Sequence, residues 1–106
     1  MIRSVALAAM LAASLVTSPA CAQAGDRDLG RNLAANCASC HGANGHALAG
    51  MPALAGRPRT ELVRMLKDFR DGRRAATVMQ QLAKGYTEAQ IEAVSDFLSR
   101  QAASGR

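Results

Sequence analysis

Cys37-Ala38-Ser39-Cys40-His41 constrains this chain more than any other stretch, because two thiols and an imidazole within five residues demand one shared local geometry. On a helix, Cys37 and Cys40 lie about a turn apart on the same side, and His41 follows at once. Three chemistries use such a set. A redox-active Cys-x-x-Cys pair belongs in a βαβ context, and the sequence has no alternating strand pattern of useful length. Tetrahedral zinc wants four ligands, and beyond these three the chain offers only His46 once Cys21 is set aside. Cys-x-x-Cys-His is the attachment signature of c-type haem. Each thiol adds to one of two vinyl groups on the same porphyrin edge, and the neighbouring imidazole then reaches the iron. The motif therefore predicts one covalent haem c per chain, attached through Cys37 and Cys40, with His41 as an axial iron ligand.

The start of the chain supports that reading. Met1-Ile2-Arg3 is a short positive region, Val5 to Val16 is an apolar run, and Ala20, Ala22 and Ala24 follow at alternating positions. This is the layout of a secretory signal peptide, so residues 1–24 are expected to be removed and 25–106 to form the domain. The apolar run is shorter than the ~20 residues of a span, and no transmembrane helix is expected in the mature chain. Cys21 falls in the discarded segment. Lipid attachment through Cys21 is the alternative, disfavoured because Ser18 stands where a lipoprotein site wants a leucine-like residue. Export places the protein in the periplasm, and c-type haem is attached outside the cytoplasm.

The chain of 106 residues has room for one small domain. It is 49% apolar, yet only three residues are aromatic and much of the remainder is alanine, so the core is poor in area. A haem supplies the missing apolar bulk. Removing Arg3 with the leader leaves twelve Lys and Arg against eight Asp and Glu, and two ionised propionates bring the net charge to about +2. That modest charge suits acidic protein partners or a membrane face. Nucleic acid is not expected, because basic-aromatic interleaving and a binding motif are both missing.

Residues 26–37 read as a helix with Leu29, Leu33 and Asn36 at helical spacing beside Gly30 and Ala34. From 42 to 58, glycines and prolines break any period, which predicts a loop. A helix over 60–71 follows, with Thr60 as its cap, Leu62, Val63, Leu66 and Phe69 on one face, and Gly72 as its stop. A short helical segment spans about 78–83. The last helix opens on the capping box Thr87-Glu88-Ala89-Gln90 and repeats Ile91, Val94 and Leu98. The fold class is all-α.

Met51, Met65, Met79 and His46 are the candidates for the second axial ligand. His46 lies five residues beyond His41, too close to pass round the porphyrin edge. Met65 sits beside a helical apolar stripe, where a thioether usually fills core gaps. Met51 is followed at once by Pro52. Met79, on a segment free to reach the opposite face, is the expected ligand. A buried core Met79 would instead leave the iron open, as in a haem sensor or small haem enzyme. Over residues 57–74 seven cations face three carboxylates, which reads equally as a docking patch or as an ion-paired helix face.

Together these features resemble class I cytochromes c. The resemblance implies a small helical fold around one haem and a non-enzymatic role in electron transport. It also implies a proline carbonyl, here Pro52, that accepts the second ring N–H of His41, and a crossing of the terminal helices through Gly30 and Phe97. More narrowly, Pro52-Ala-Leu-Ala-Gly56, Phe69-Arg-Asp-Gly-Arg-Arg74, Ala76-Thr-Val-Met79 and Ala83-Lys-Gly-Tyr86 resemble the small haem subunit of flavocytochrome c sulfide dehydrogenase and short cytochromes c4 and c553. The partners this implies are redox proteins, among them a flavoprotein sulfide dehydrogenase subunit or a terminal oxidase.

Overall fold

The computed structural model describes residues 20–103. Four helices succeed one another: α1 (Ala20–His41), α2 (Arg59–Arg70), α3 (Met79–Ala83) and α4 (Glu88–Ser99), with a 3-10 turn at Ala43–Gly45. Among the described residues there is no strand, so the all-α expectation holds. The expected leader lies for the most part outside the described residues. Within them, no helix is long and apolar enough to cross a membrane.

Two helices set the frame by crossing closely. A Cβ on Gly30 would lie 2.4 Å from the Ala93 carbonyl oxygen and 3.1 Å from the Phe97 Cβ, so only glycine lets α1 approach α4 this far. The pair expected at this crossing is the pair found. Ala34, Leu62, Val94 and Leu98 form the buried centre, and Leu33, Cys37, Leu54, Leu66 and Phe97 pack around it. Cys37 is thus packed against the core itself.

α1 runs farther than its apolar pattern suggests, through the whole Cys-x-x-Cys-His motif to His41. α2 also differs from expectation at its start. Thr60 is not its cap: the helix begins at Arg59, with Pro58 in the capping position and no side-chain cap. Pro58 needs no amide partner, and its carbonyl takes the amides of Glu61 and Leu62 at 3.0 and 3.1 Å. The end of α2 is as expected, with Gly72 at φ +77° just beyond it. α4 opens on the complete capping box: the Gln90 amide donates to Thr87 Oγ1 at 3.2 Å, and the Thr87 amide to Gln90 Oε1 at 2.9 Å.

Ion pairs join α2 to α4. Arg59 reaches Glu92 and Asp96, while Lys67 and Arg70 converge on Glu88 at 2.8 and 3.1 Å. The loop between α1 and α2 is tied at two places. The Gly45 carbonyl accepts from the Leu54 and Ala55 amides, and the Gly56 amide donates to Leu98 at the end of α4. These ties fold the loop on itself and fasten it to the end of α4.

Candidate functional site

The last turn of α1 presents Cys37, Cys40 and His41 in succession. Both thiols are free. Cys37 is half-buried in the core and Cys40 is exposed. Burial pushes the Cys37 thiol up from its ordinary range, opposed by a backbone hydrogen bond. Its Sγ lies 3.8 Å from the Leu33 carbonyl one turn back.

His41 is buried, with 7% of its surface exposed, and its Nδ1 lies 2.8 Å from the Pro52 carbonyl oxygen. A carbonyl can only accept, so Nδ1 carries a proton, and in the neutral ring the lone pair is on Nε2. The backbone must reverse at once to bring Pro52 there. Gly42 takes φ +83°, and a Cβ on it would stand 2.9 Å from the Ala47 carbonyl. The Ala47 amide then closes the turn on the His41 carbonyl at 2.6 Å.

The methionines and His46 occupy distinct settings. His46 is exposed and donates from Nδ1 to the Ala43 carbonyl at 2.8 Å. Met65 lies on α2 with its sulfur 3.9 Å from the Arg57 guanidinium. Met51 is exposed on the loop, and Met79 is half-buried as the first residue of α3. The segment leaving α3 returns to the motif. Burial comes first in raising the Tyr86 phenol pKa above its ordinary value, with the neighbouring Cys37 adding to it and the nearby Asn36 side chain opposing it. The sequence reading did not single out Tyr86 for this neighbourhood, although it is the one tyrosine of the chain.

Leu48, Met51, Val78 and Leu82 are the exposed large apolar side chains among the described residues. All four lie on the loop after His41 or in and immediately before α3. Exposed apolar side chains of this kind suit contact with a flat hydrophobic macrocycle. Two free thiols and an imidazole with its Nε2 lone pair complete a donor set suited to a covalent haem.

The basic stretch over 57–74 is largely neutralised. Arg57 pairs with Glu61, Arg59 with Glu92, Arg64 and Arg73 with Asp68, Lys67 with Glu88, and Arg70 with Asp71 and Glu88. Arg74 instead lies 5.1 Å from the centre of the Phe69 ring. Among residues whose side chains are described, Arg74 and Lys84 are the cations without a carboxylate partner. The ion-paired helix face accounts for this stretch better than a docking patch.

Comparison with known proteins gives the same picture. The chain is 41% identical over 75 residues to the thiosulfate dehydrogenase electron acceptor of Thiomonas intermedia, covering 69% of this chain and 35% of that protein. It is 35% identical over 68 residues to the cytochrome subunit of sulfide dehydrogenase of Chlorobaculum tepidum, covering 64% of this chain and 62% of that protein. The chain thus spans about a third of one relative and somewhat under two thirds of the other. Among solved structures, cytochrome c4 of Acidithiobacillus ferrooxidans matches with a TM-score of 0.60 at 32% identity, over 74% of this chain and 48% of that one. The cytochrome c family model matches residues 27–102, and the chain belongs to the cytochrome c family of electron-transfer proteins.

Proposed function

We propose that the chain is a periplasmic carrier of single electrons with one haem c, attached through Cys37 and Cys40 and ligated by His41 and Met79. The observation that carries this reading is the buried His41 ring, whose Nδ1–H is committed to Pro52 and whose Nε2 is left as a donor. The bound haem supplies an iron that cycles between Fe(III) and Fe(II). The chain's residues do the rest. Cys37, rooted in the core, and Cys40 hold one porphyrin edge. The Pro52 carbonyl fixes the ring plane of His41 and strengthens its Nε2 as a donor. Met79, the first residue of α3, would be the second residue to hold the iron, and its weakly donating thioether would favour the reduced state.

The names of the relatives point to the donor. A thiosulfate dehydrogenase electron acceptor and a sulfide dehydrogenase cytochrome subunit both take electrons from the oxidation of reduced sulfur. The chain accepts electrons from a dehydrogenase of that class, such as a flavoprotein sulfide dehydrogenase subunit, and passes them toward a terminal oxidase. Exposure of the reduced holoprotein to carbon monoxide tests this reading. The carrier is expected to leave its spectrum unchanged while titrating one electron per chain. A carbon monoxide spectrum at stoichiometric gas would instead identify an open sixth position and a sensor or enzyme.

A further inference from the structure

The loop that presents Pro52 to His41 is pinned by backbone bonds mainly after the proline. Gly45 holds Leu54 and Ala55, and Leu98 holds Gly56. Between residues 48 and 53 the backbone has one internal bond, from the Met51 amide to the Leu48 carbonyl at 2.9 Å. Two side chains reach this stretch among the described residues. One is His41 itself. The other is Arg57, whose Nε donates to the Ala53 carbonyl at 2.8 Å. A second guanidinium nitrogen donates to Glu61 Oε1 on α2 at 2.9 Å.

Ala53 is bonded directly to Pro52, so the two carbonyls belong to consecutive peptide planes. Peptide planarity leaves only φ and ψ of Ala53 as soft torsions between the two planes. Holding the Ala53 carbonyl therefore restricts where the Pro52 carbonyl can point. We propose that Arg57 is a positioning residue for the proximal histidine: it clamps residues 52–53 to α2 through Glu61 and thereby sets the His41 Nδ1–H to Pro52 bond. This rests on the reading that His41 ligates the iron. Its guanidinium is suited to the task because the planar fork bonds two acceptors in fixed directions, which a lysine ammonium on a flexible stem does not reproduce.

The role has a signature that separates it from simple charge. A firm Nδ1–H bond strengthens His41 as a donor and favours Fe(III), so loosening the clamp raises the reduction potential. Removing a positive charge near the iron acts oppositely and lowers the potential. Arg57→Lys keeps the charge and loses the fork, while Arg57→Gln loses both.

The test uses the haem-loaded, reduced protein labelled with nitrogen-15 at histidine. Solvent exchange of the His41 Nδ1 proton and the reduction potential are measured for wild type, Arg57→Lys and Arg57→Gln. Exchange about tenfold faster in both variants, with an upward shift of potential in Arg57→Lys, is the expected result. Glu61→Gln keeps Arg57 and loosens only its outer anchor, so it is expected to shift exchange in the same direction by less. Exchange unchanged in both Arg57 variants overturns the proposal, as does a potential that falls in Arg57→Gln and stays fixed in Arg57→Lys. If the wild-type His41 ring protons lack the porphyrin ring-current shift, the ligation reading itself fails and the clamp falls with it. Shifted ring protons with unchanged exchange remove the clamp alone.

Discussion

At the scale of single residues, one buried polar side chain among the described residues has no partner. Ser95 is fully buried on the inward face of α4, and its hydroxyl makes no hydrogen bond. A buried hydroxyl without a partner costs about 1–3 kcal/mol in desolvation, and alanine removes the group while leaving only a small gap. Ser95→Ala is expected to raise the stability of the holoprotein by ~1 kcal/mol, seen as a higher denaturant midpoint. A lower midpoint would mean that the hydroxyl has a partner after all. Residue-level legibility was uneven. Cys37, Cys40 and His41 announce themselves through spacing. The approach of Pro52 to His41 came only through family resemblance, since neither residue type asks for the other. Arg57 counted merely as a surface cation in the sequence, because its bonds to Ala53 and Glu61 exist only once the loop has turned back.

Among the elements, the α1–α4 crossing is the most sharply determined contact. Gly30→Ala sets a Cβ against a backbone carbonyl that cannot swing away, so the helices must separate. Overpacking of this kind costs about 1–3 kcal/mol, and thermal unfolding should reveal a loss of that size despite alanine's better helix propensity. Unchanged stability would show that the helices do not meet there. The junction of α2 with α4 has a pH signature. Lys67, then Arg70, hold the Glu88 carboxyl below its ordinary range. A carboxylate with a depressed folded pKa stabilises above its unfolded pKa, and the contribution disappears as pH falls through the folded value. Glu88→Gln is therefore expected to be less stable than wild type at neutral pH, with the two converging in acid. A gap that persists in acid would contradict the ion-pair assignment. The starts of these two helices show why one was legible and the other not. Thr87 and Gln90 form a local, reciprocal pair that sequence spacing encodes. α2 begins instead where Pro58 ends the loop, so Thr60, a good cap by type, falls inside the helix.

On the scale of the whole molecule, charge pairing reshapes the surface that a partner meets. Seven cations over residues 57–74 look like a basic patch in sequence. Three of the six carboxylates they pair with, Glu88, Glu92 and Asp96, lie on α4, which no count along that stretch reveals. Arg74 and Lys84, on either side of α3, keep their charge unpaired. Reversing either one, Arg74→Glu or Lys84→Glu, should slow reduction by an acidic partner at low salt and flatten its ionic-strength dependence. Arg59→Gln should change both far less. Equal effects at all three positions would restore α2 as the docking face. The helical architecture was legible because periodicity and caps are local, whereas the face that meets a partner depends on which charges the fold brings together.

The central claim is that Met79 closes the iron site opposite His41 and makes the protein an electron carrier. The near-infrared absorption of the oxidised holoprotein tests it most directly, through the weak charge-transfer band of methionine ligation to ferric iron. The account predicts that the band is present in wild type, persists in Met51→Ala and Met65→Ala, and disappears in Met79→Ala. A wild-type protein with haem attached but no band, or a band that survives Met79→Ala, would contradict it.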